Sequence, residues 1–119
     1  DTIPDLQIPR LLADENLANT AFTDLIRQMS VDTGAVAFIR QMTAIIDRID
    51  SRPTLATITV QTLVLVGAGD KITPPDLARE MADGIAGAEL AVIAGAGHLP
   101  TIEAPDAVTT VLQSWLARA

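Results

Sequence analysis

The residues best suited to chemistry are one aspartate and the single histidine of the chain, each placed shortly after an apolar run. Asp70 follows the run at 62–66 by four residues, and His98 follows the run at 90–94 by four residues. A carboxylate that accepts a hydrogen bond from one imidazole nitrogen fixes the tautomer of the ring, and it stabilises the cation formed when the other nitrogen takes a proton. If the two side chains meet, they can act together as the acid and the general base of a catalytic site.

A nucleophile for this pair is not evident in the chain. The sequence has no cysteine, and none of its serines (Ser30, Ser51 and Ser114) stands in a Gly-x-Ser-x-Gly turn. We interpret Ser30 and Ser51 as residues at helix ends, and Ser114 as part of the last helix. The sequence also offers no loop that would provide an oxyanion hole. Asp70 and His98 are therefore expected to need a nucleophile from outside this chain.

The two apolar runs predict the strands that position this pair. Both runs are short, rich in β-branched residues and stopped by glycine-containing loops, which is typical of strands in a parallel sheet covered by helices. A helix of about ten residues between them implies a right-handed crossover and parallel strands. Because the carboxyl ends of neighbouring parallel strands share one edge of the sheet, Asp70 and His98 are expected to lie close together there.

The helices of the second half are predicted from capping residues and apolar spacing. Thr73 is expected to cap a helix that starts with Pro74 and Pro75. Its apolar face is predicted to consist of Leu77, Met81 and Ile85. The last helix is expected to open near Pro105, and Glu103 just before it is interpreted as a structural acid that favours the helix dipole.

The first half of the chain is predicted to be helical. Asn19 or Thr20 precedes a helix whose apolar face is formed by Phe22, Leu25, Ile26 and Met29. After Gly34 a second pattern predicts another helix, with Phe38, Met42, Ile45 and Ile49 on one face. We expect Ser51-Arg52-Pro53 to end it, because a proline disfavours the α conformation in the residue before it.

Composition narrows the classes of partner. The 119 residues are 49% hydrophobic and carry a net charge of −7, which argues against nucleic acid as a partner. The apolar runs are too short to cross a membrane, and the N-terminus lacks the pattern of a signal peptide, so we expect a soluble, cytoplasmic protein. No cofactor or metal is expected. The dinucleotide fingerprint would need a glycine where Ile72 stands, and a lone histidine without cysteine makes a zinc site improbable.

Three segments of this sequence resemble the C-terminal part of an α/β-hydrolase fold enzyme with a small helical cap. They are R-P-T-L-A-T-I (52–58), T-L-V-L-V-G-A-G-D-K-I-T-P-P (62–75) and G-A-G-H-L-P-T-I-E-A-P (95–105). The resemblance implies that Asp70 is the triad acid and His98 the triad base. It also implies that residues 1–51 form a helical cap or lid segment and that residues 52–119 form the C-terminal, β-α-β-α segment of the hydrolase core. Gln61 replaces the proline usual before the strand, and the nucleophile-bearing half of the family's fold is not in this chain.

The resemblance implies that this chain is part of a serine hydrolase that cleaves carboxylic esters or lactones. The expected substrate is small, apolar and ester-like. Its nucleophile would lie on an N-terminal half, in the same protein or in a second chain, and this chain alone is predicted to be inactive. The alternative is a non-catalytic fragment of that fold that stands alone or forms homo-oligomers, because two parallel strands leave an open edge. A nucleotide-binding module, suggested only by the glycine loops, ranks last.

Overall fold

The computed structural model describes residues 2–118 as helices that precede and flank a two-stranded parallel sheet. In chain order the elements are α1 (Ile3–Leu11), a 3-10 turn (Asp14–Asn16), α2 (Thr20–Ile46), a 3-10 segment (Arg52–Thr57), β1 (Leu63–Gly67), α3 (Pro75–Gly84), β2 (Glu89–Ile93), α4 (Pro100–Glu103) and α5 (Pro105–Leu116). Asp1 and Ala119, the outer ends of the two predicted segments, lie outside the described residues.

The sheet has the parallel arrangement that the sequence predicts. β1 and β2 are hydrogen-bonded neighbours, with Leu63 opposite Glu89 and Gly67 opposite Ile93. Each strand differs from its predicted range by a single residue at either end. The crossover helix α3 packs on both strands, so the loops that carry the candidate site emerge together at the carboxyl edge of the sheet.

The face of α3 that meets the sheet is not the predicted one. Ala78 and Ala82 are buried against β1, whereas Leu77 and Met81 are 45% and 44% exposed. Of the predicted apolar face, only Ile85, just after the helix, is buried. The small alanine side chains allow the helix backbone to approach the strand closely, and the larger residues therefore lie on the flank of the contact.

Helix α2 combines the two helices predicted in the first half of the chain. Its N-terminus is capped as predicted, because the Asn19 side chain accepts a hydrogen bond from the amide of Ala21 at 3.1 Å. A kink at Gly34 divides the helix where the sequence predicts a boundary. Gly34 has a φ of 71°, a positive value that glycine adopts more readily than other residues. The prediction for its end was wrong: α2 stops at Ile46, and Ile49 is 82% exposed.

The first two helices are anchored on the loop that follows β2. Ile8, Leu12 and Ile26 form a buried cluster against which Leu99 packs. Leu12, which follows the last residue of α1, is fully buried, so the end of this helix is packed against the rest of the protein.

Among residues 2–118, every helix is too short or too polar to cross a membrane.

Candidate active site

The structure brings Asp70 and His98 into direct contact at the carboxyl edge of the sheet. The Nδ1 atom of His98 lies 2.9 Å from Oδ2 of Asp70. The Asp70 side chain is 5% exposed, and the His98 side chain is 34% exposed. The carboxylate is therefore enclosed by protein, while part of the ring is accessible to solvent.

The loop after β1 wraps around the Asp70 carboxylate. Oδ1 accepts hydrogen bonds from the backbone amides of Ile72 at 2.8 Å and Thr73 at 2.9 Å, and Oδ2 accepts one from the Thr73 hydroxyl at 3.0 Å. The sequence predicts Thr73 as the cap of α3, and this prediction was wrong. The Thr73 hydroxyl instead donates to Asp70. Pro74 takes the capping position instead.

Two opposed effects set the pKa of the Asp70 carboxyl. Burial raises this pKa, because the charged form loses solvation. Hydrogen bonds from the Thr73 amide, the His98 ring, the Ile72 amide and the Thr73 hydroxyl favour the charged form, and together they lower the pKa below its ordinary value of 3.8. Asp70 is therefore an anion at neutral pH.

This lowered pKa predicts a loss of stability in acid. The folded pKa of Asp70 lies below the unfolded value, so the ionised carboxyl stabilises the fold above about pH 4, and this contribution disappears as the pH falls through the folded pKa. We expect the difference in free energy of unfolding between the wild type and Asp70→Asn to be larger at about pH 7 than at about pH 3. Urea unfolding at both pH values measures it. A difference that is equal at the two pH values would contradict the expected titration.

The contact with Asp70 also fixes the tautomer of His98. An ionised carboxylate has no proton to donate, so the hydrogen bond requires a proton on Nδ1. The Thr73 hydroxyl lies 3.3 Å from the same nitrogen. Nε2 then carries the lone pair, and no side chain among residues 2–118 is hydrogen-bonded to it. This arrangement can accept a proton at Nε2 and stabilise the resulting imidazolium.

Glu103, which the sequence suggests only as a partner for the dipole of the last helix, makes hydrogen bonds to the loop that carries His98. Oε1 of Glu103 accepts the amide of Gly97 at 2.8 Å, and Oε2 accepts the amide of Ala13 and the side-chain amide of Asn16, each at 2.8 Å. These contacts, and not only the helix dipole, therefore define the surroundings of Glu103. The only sequence signal for it is its place five residues after His98 in the Glu-x-Pro motif.

Lys71 makes another contact that the sequence did not predict. Its Nζ atom donates to the backbone oxygen of Pro9 at 2.9 Å and to Oδ1 of Asp14 at 2.6 Å. A cation at the C-terminal end of α1 meets carbonyl groups that have no partner within the helix. Lys71 thereby ties the loop that carries Asp70 to the end of α1.

A cleft of about 410 Å³ lies between α1 and α2 and reaches Leu99, the neighbour of His98. Apolar residues dominate its lining: Leu11, Ile26, Met29, Phe38, Met42 and Leu99. Its volume is within the range of small-molecule sites. Ser30 also lines it and lies inside α2, not at a helix end as the sequence suggests.

The described residues offer neither a metal cluster nor a serine nucleophile in contact with the pair. Within residues 2–118, no three His, Cys, Asp or Glu side chains are grouped so that they could hold a metal ion. None of the serines, all of which are described, is hydrogen-bonded to His98; Ser114 accepts instead from Arg118 at 2.7 Å.

Comparison with known proteins relates this site to a family. A model described as the alpha/beta hydrolase family matches residues 2–111. A 2-hydroxy-6-oxononadienedioate/2-hydroxy-6-oxononatrienedioate hydrolase from Escherichia coli O81 (strain ED1a) is 39% identical over 70 residues, which make up 59% of this chain and 24% of that protein. The chain thus spans about a quarter of the length of this curated relative.

Solved structures match nearly the whole chain. A thermophilic esterase from Thermogutta terrifontis has a TM-score of 0.80 and 34% identity, over 98% of this chain and 43% of that one. The enol-lactonase from Burkholderia xenovorans LB400 has a TM-score of 0.86 and 32% identity, over 97% of this chain and 44% of that one. This chain belongs to the alpha/beta hydrolase family, and its parallel sheet with the preceding helices is a C-terminal portion of that fold.

Proposed function

We propose that Asp70 and His98 are the acid and the base of a serine hydrolase that cleaves carboxylic esters or lactones. The observation that carries this proposal is the 2.9 Å contact between His98 Nδ1 and a buried, ionised Asp70, which leaves Nε2 free at the edge of the sheet. Two of the structural relatives are a thermophilic esterase and an enol-lactonase, which supports this substrate class.

In the proposed mechanism, Nε2 of His98 takes the proton of a serine hydroxyl while the serine oxygen attacks the carbonyl carbon of the ester. The imidazolium that forms is stabilised by Asp70. When the tetrahedral intermediate collapses, the carbon–oxygen bond to the leaving group breaks, and His98 returns the proton to that oxygen. A water molecule, deprotonated by His98 in turn, then hydrolyses the acyl-enzyme and regenerates the serine.

The serine would lie on an N-terminal half, in the same protein or in a second chain. In support, this chain covers less than half of the solved relatives it matches. The outer edge of β1 has no neighbouring strand among residues 2–118, and such an edge can pair with another strand. In this proposal, residues 1–51 act as the cap segment, and residues 52–119 complete the core.

The cleft between α1 and α2 is the proposed site for the apolar part of the substrate. Among the described residues that line it, none is charged, and Leu99 places it beside the loop of His98. Burial of an alkyl chain against such a surface is favourable by about 0.8 kcal/mol for each methylene group. We therefore expect small esters with an uncharged, apolar chain to be preferred.

The variant Ser30→Phe, made in the complete hydrolase, tests this assignment. An aromatic ring at position 30 would fill part of the cleft, so kcat/KM for p-nitrophenyl octanoate is expected to fall about 10-fold, while that for the acetate ester stays within about twofold. Ser51→Phe, at an exposed position outside the cleft, is the matched control. Equal losses for both esters, or equal effects of the two variants, would argue against the cleft as the substrate site.

Native mass spectrometry of the isolated protein, followed by labelling with a fluorophosphonate, tests the function itself. We expect a Gly-x-Ser-x-Gly segment to accompany this chain, covalently or as a second polypeptide, and its serine to be labelled only while His98 is present. We would instead favour the non-catalytic fragment if only chains of 12.5 kDa were found, as monomers or homo-oligomers, and none of them were labelled.

A further inference from the structure

The amides on both sides of His98 point at a single carboxylate oxygen. Gly97 N donates to Oε1 of Glu103 at 2.8 Å, and Leu99 N donates to the same atom at 3.4 Å. The amide of His98 itself donates to the carbonyl of Leu11 at 2.8 Å. The three consecutive amides of this loop are therefore all held, and two of them are held by Glu103.

The other oxygen of Glu103 reaches the segment between α1 and α2. Oε2 accepts the amide of Ala13 and the side-chain amide of Asn16, each at 2.8 Å. Asn16 also donates to the carbonyl of Gly95 at 2.9 Å, in the loop after β2. A single carboxylate thus joins the loop of His98 to a distant segment, since Ala13 and Asn16 lie 90 and 87 positions before Glu103.

We propose that Glu103 is a positioning residue for His98, an inference that rests on the function proposed above. None of its hydrogen bonds among residues 2–118 reaches the imidazole, so Glu103 acts through the backbone on either side of His98. Hydrogen bonds to a carboxylate are about twice as strong as neutral ones. By fixing the backbone of His98, they set the direction in which its side chain leaves the loop, and the contact with Asp70 then fixes the ring.

Removal of this carboxylate would leave four donors without their acceptor and free the loop to move. A displacement of about 1 Å in a catalytic group costs roughly 100-fold in rate. In the complete hydrolase, Glu103→Ala is therefore expected to lower kcat about 100-fold and to leave KM within about twofold, because no substrate contact is removed. Glu89→Gln is the matched control, since Glu89 pairs with Arg118 away from the site.

Glu103→Gln is the milder variant. Its amide oxygen can still accept from Gly97 and Leu99, whereas its NH2 group would face the donors of Ala13 and Asn16. We expect kcat to fall about 10-fold, which is less than in the alanine variant. If Glu103→Ala does not fold, Glu103→Gln decides the question: a lowered kcat at unchanged KM supports the proposal, and a wild-type kcat overturns it.

A spectroscopic measurement separates this proposal from the proposed function. The hydrogen-bonded Nδ1 proton of His98 should give a low-field ¹H resonance, assigned by its loss in His98→Gln. We expect this resonance to persist in Glu89→Gln and to broaden or vanish in Glu103→Ala. Its persistence there, with kcat within about twofold of the control, would overturn the role of Glu103. Full hydrolase activity in His98→Gln would instead overturn the proposed function, and the resonance would still report on Glu103.

Discussion

Replacement of Asp70 with asparagine is expected to lower kcat about 10⁴-fold in the complete hydrolase and to leave the fold intact. The asparagine oxygen would stay where two backbone amides, those of Ile72 and Thr73, already donate to Oδ1. Its NH2 group would then face Nδ1 of His98, which must become an acceptor. The ring proton would move to Nε2, and His98 could no longer take a proton from a nucleophile.

Asp83→Asn is the matched control, because it makes the same change of charge on an exposed aspartate of α3. Steady-state kinetics with an ester substrate, together with circular dichroism of both variants, measure the effect. The control should keep the wild-type kcat. If Asp70→Asn kept it as well, with an unaltered spectrum, Asp70 would not be the acid of the site.

The meeting of Asp70 and His98 could be anticipated because it depends on regular structure. Two apolar runs with a helix between them specify parallel neighbouring strands, and each residue follows its run by the same short interval. A backbone of known geometry then brings the two loops to one edge. The proximity of Asp70 and His98 depends on backbone geometry and not on side-chain packing. It is unchanged when the ends of the strands shift by one residue.

The contacts of Glu103 and Lys71 could not be anticipated in this way. Those that reach distant parts of the chain join residues 57 to 90 positions apart, and irregular backbone has no period from which such a contact can be inferred. The buried face of α3 was missed for a different reason. Hydrophobicity favoured Leu77 and Met81, but the close approach of helix and strand selected the small Ala78 and Ala82.

A further large effect is expected from Gly97→Ala, which would disturb the junction between the two halves of this chain. A Cβ atom at Gly97 would lie 2.6 Å from the nitrogen of Ala13, 2.7 Å from the carbonyl carbon of Leu12 and 2.8 Å from the oxygen of Leu11. All three are backbone atoms, which cannot rotate away as a flexible side chain can. Overpacking of this kind costs about 3 kcal/mol in free energy of unfolding when the surroundings are rigid.

The same clash would push the loop of His98 away from the end of α1. The bond from the His98 amide to the Leu11 carbonyl, at 2.8 Å, would break, and the imidazole would lose its alignment with Asp70. We therefore expect kcat to fall at least about 100-fold at temperatures where the variant is still folded. Urea unfolding and ester kinetics on the same preparation of the complete hydrolase measure the two effects.

Gly69→Ala is the graded control for this prediction, since its Cβ would meet the side chain of Ala13 at 3.2 Å and the oxygen of Ala96 at 3.4 Å. Shifts of a few tenths of an ångström would relieve these contacts, so we expect a smaller loss of stability and a kcat within about threefold of the wild type. If Gly97→Ala behaved like Gly69→Ala, the loop and the end of α1 would be separable without cost. In that case, packing of the first two helices would not be what positions His98. If only Gly97→Ala lost stability and kcat, the helical segment would be needed to position the side chains of the site.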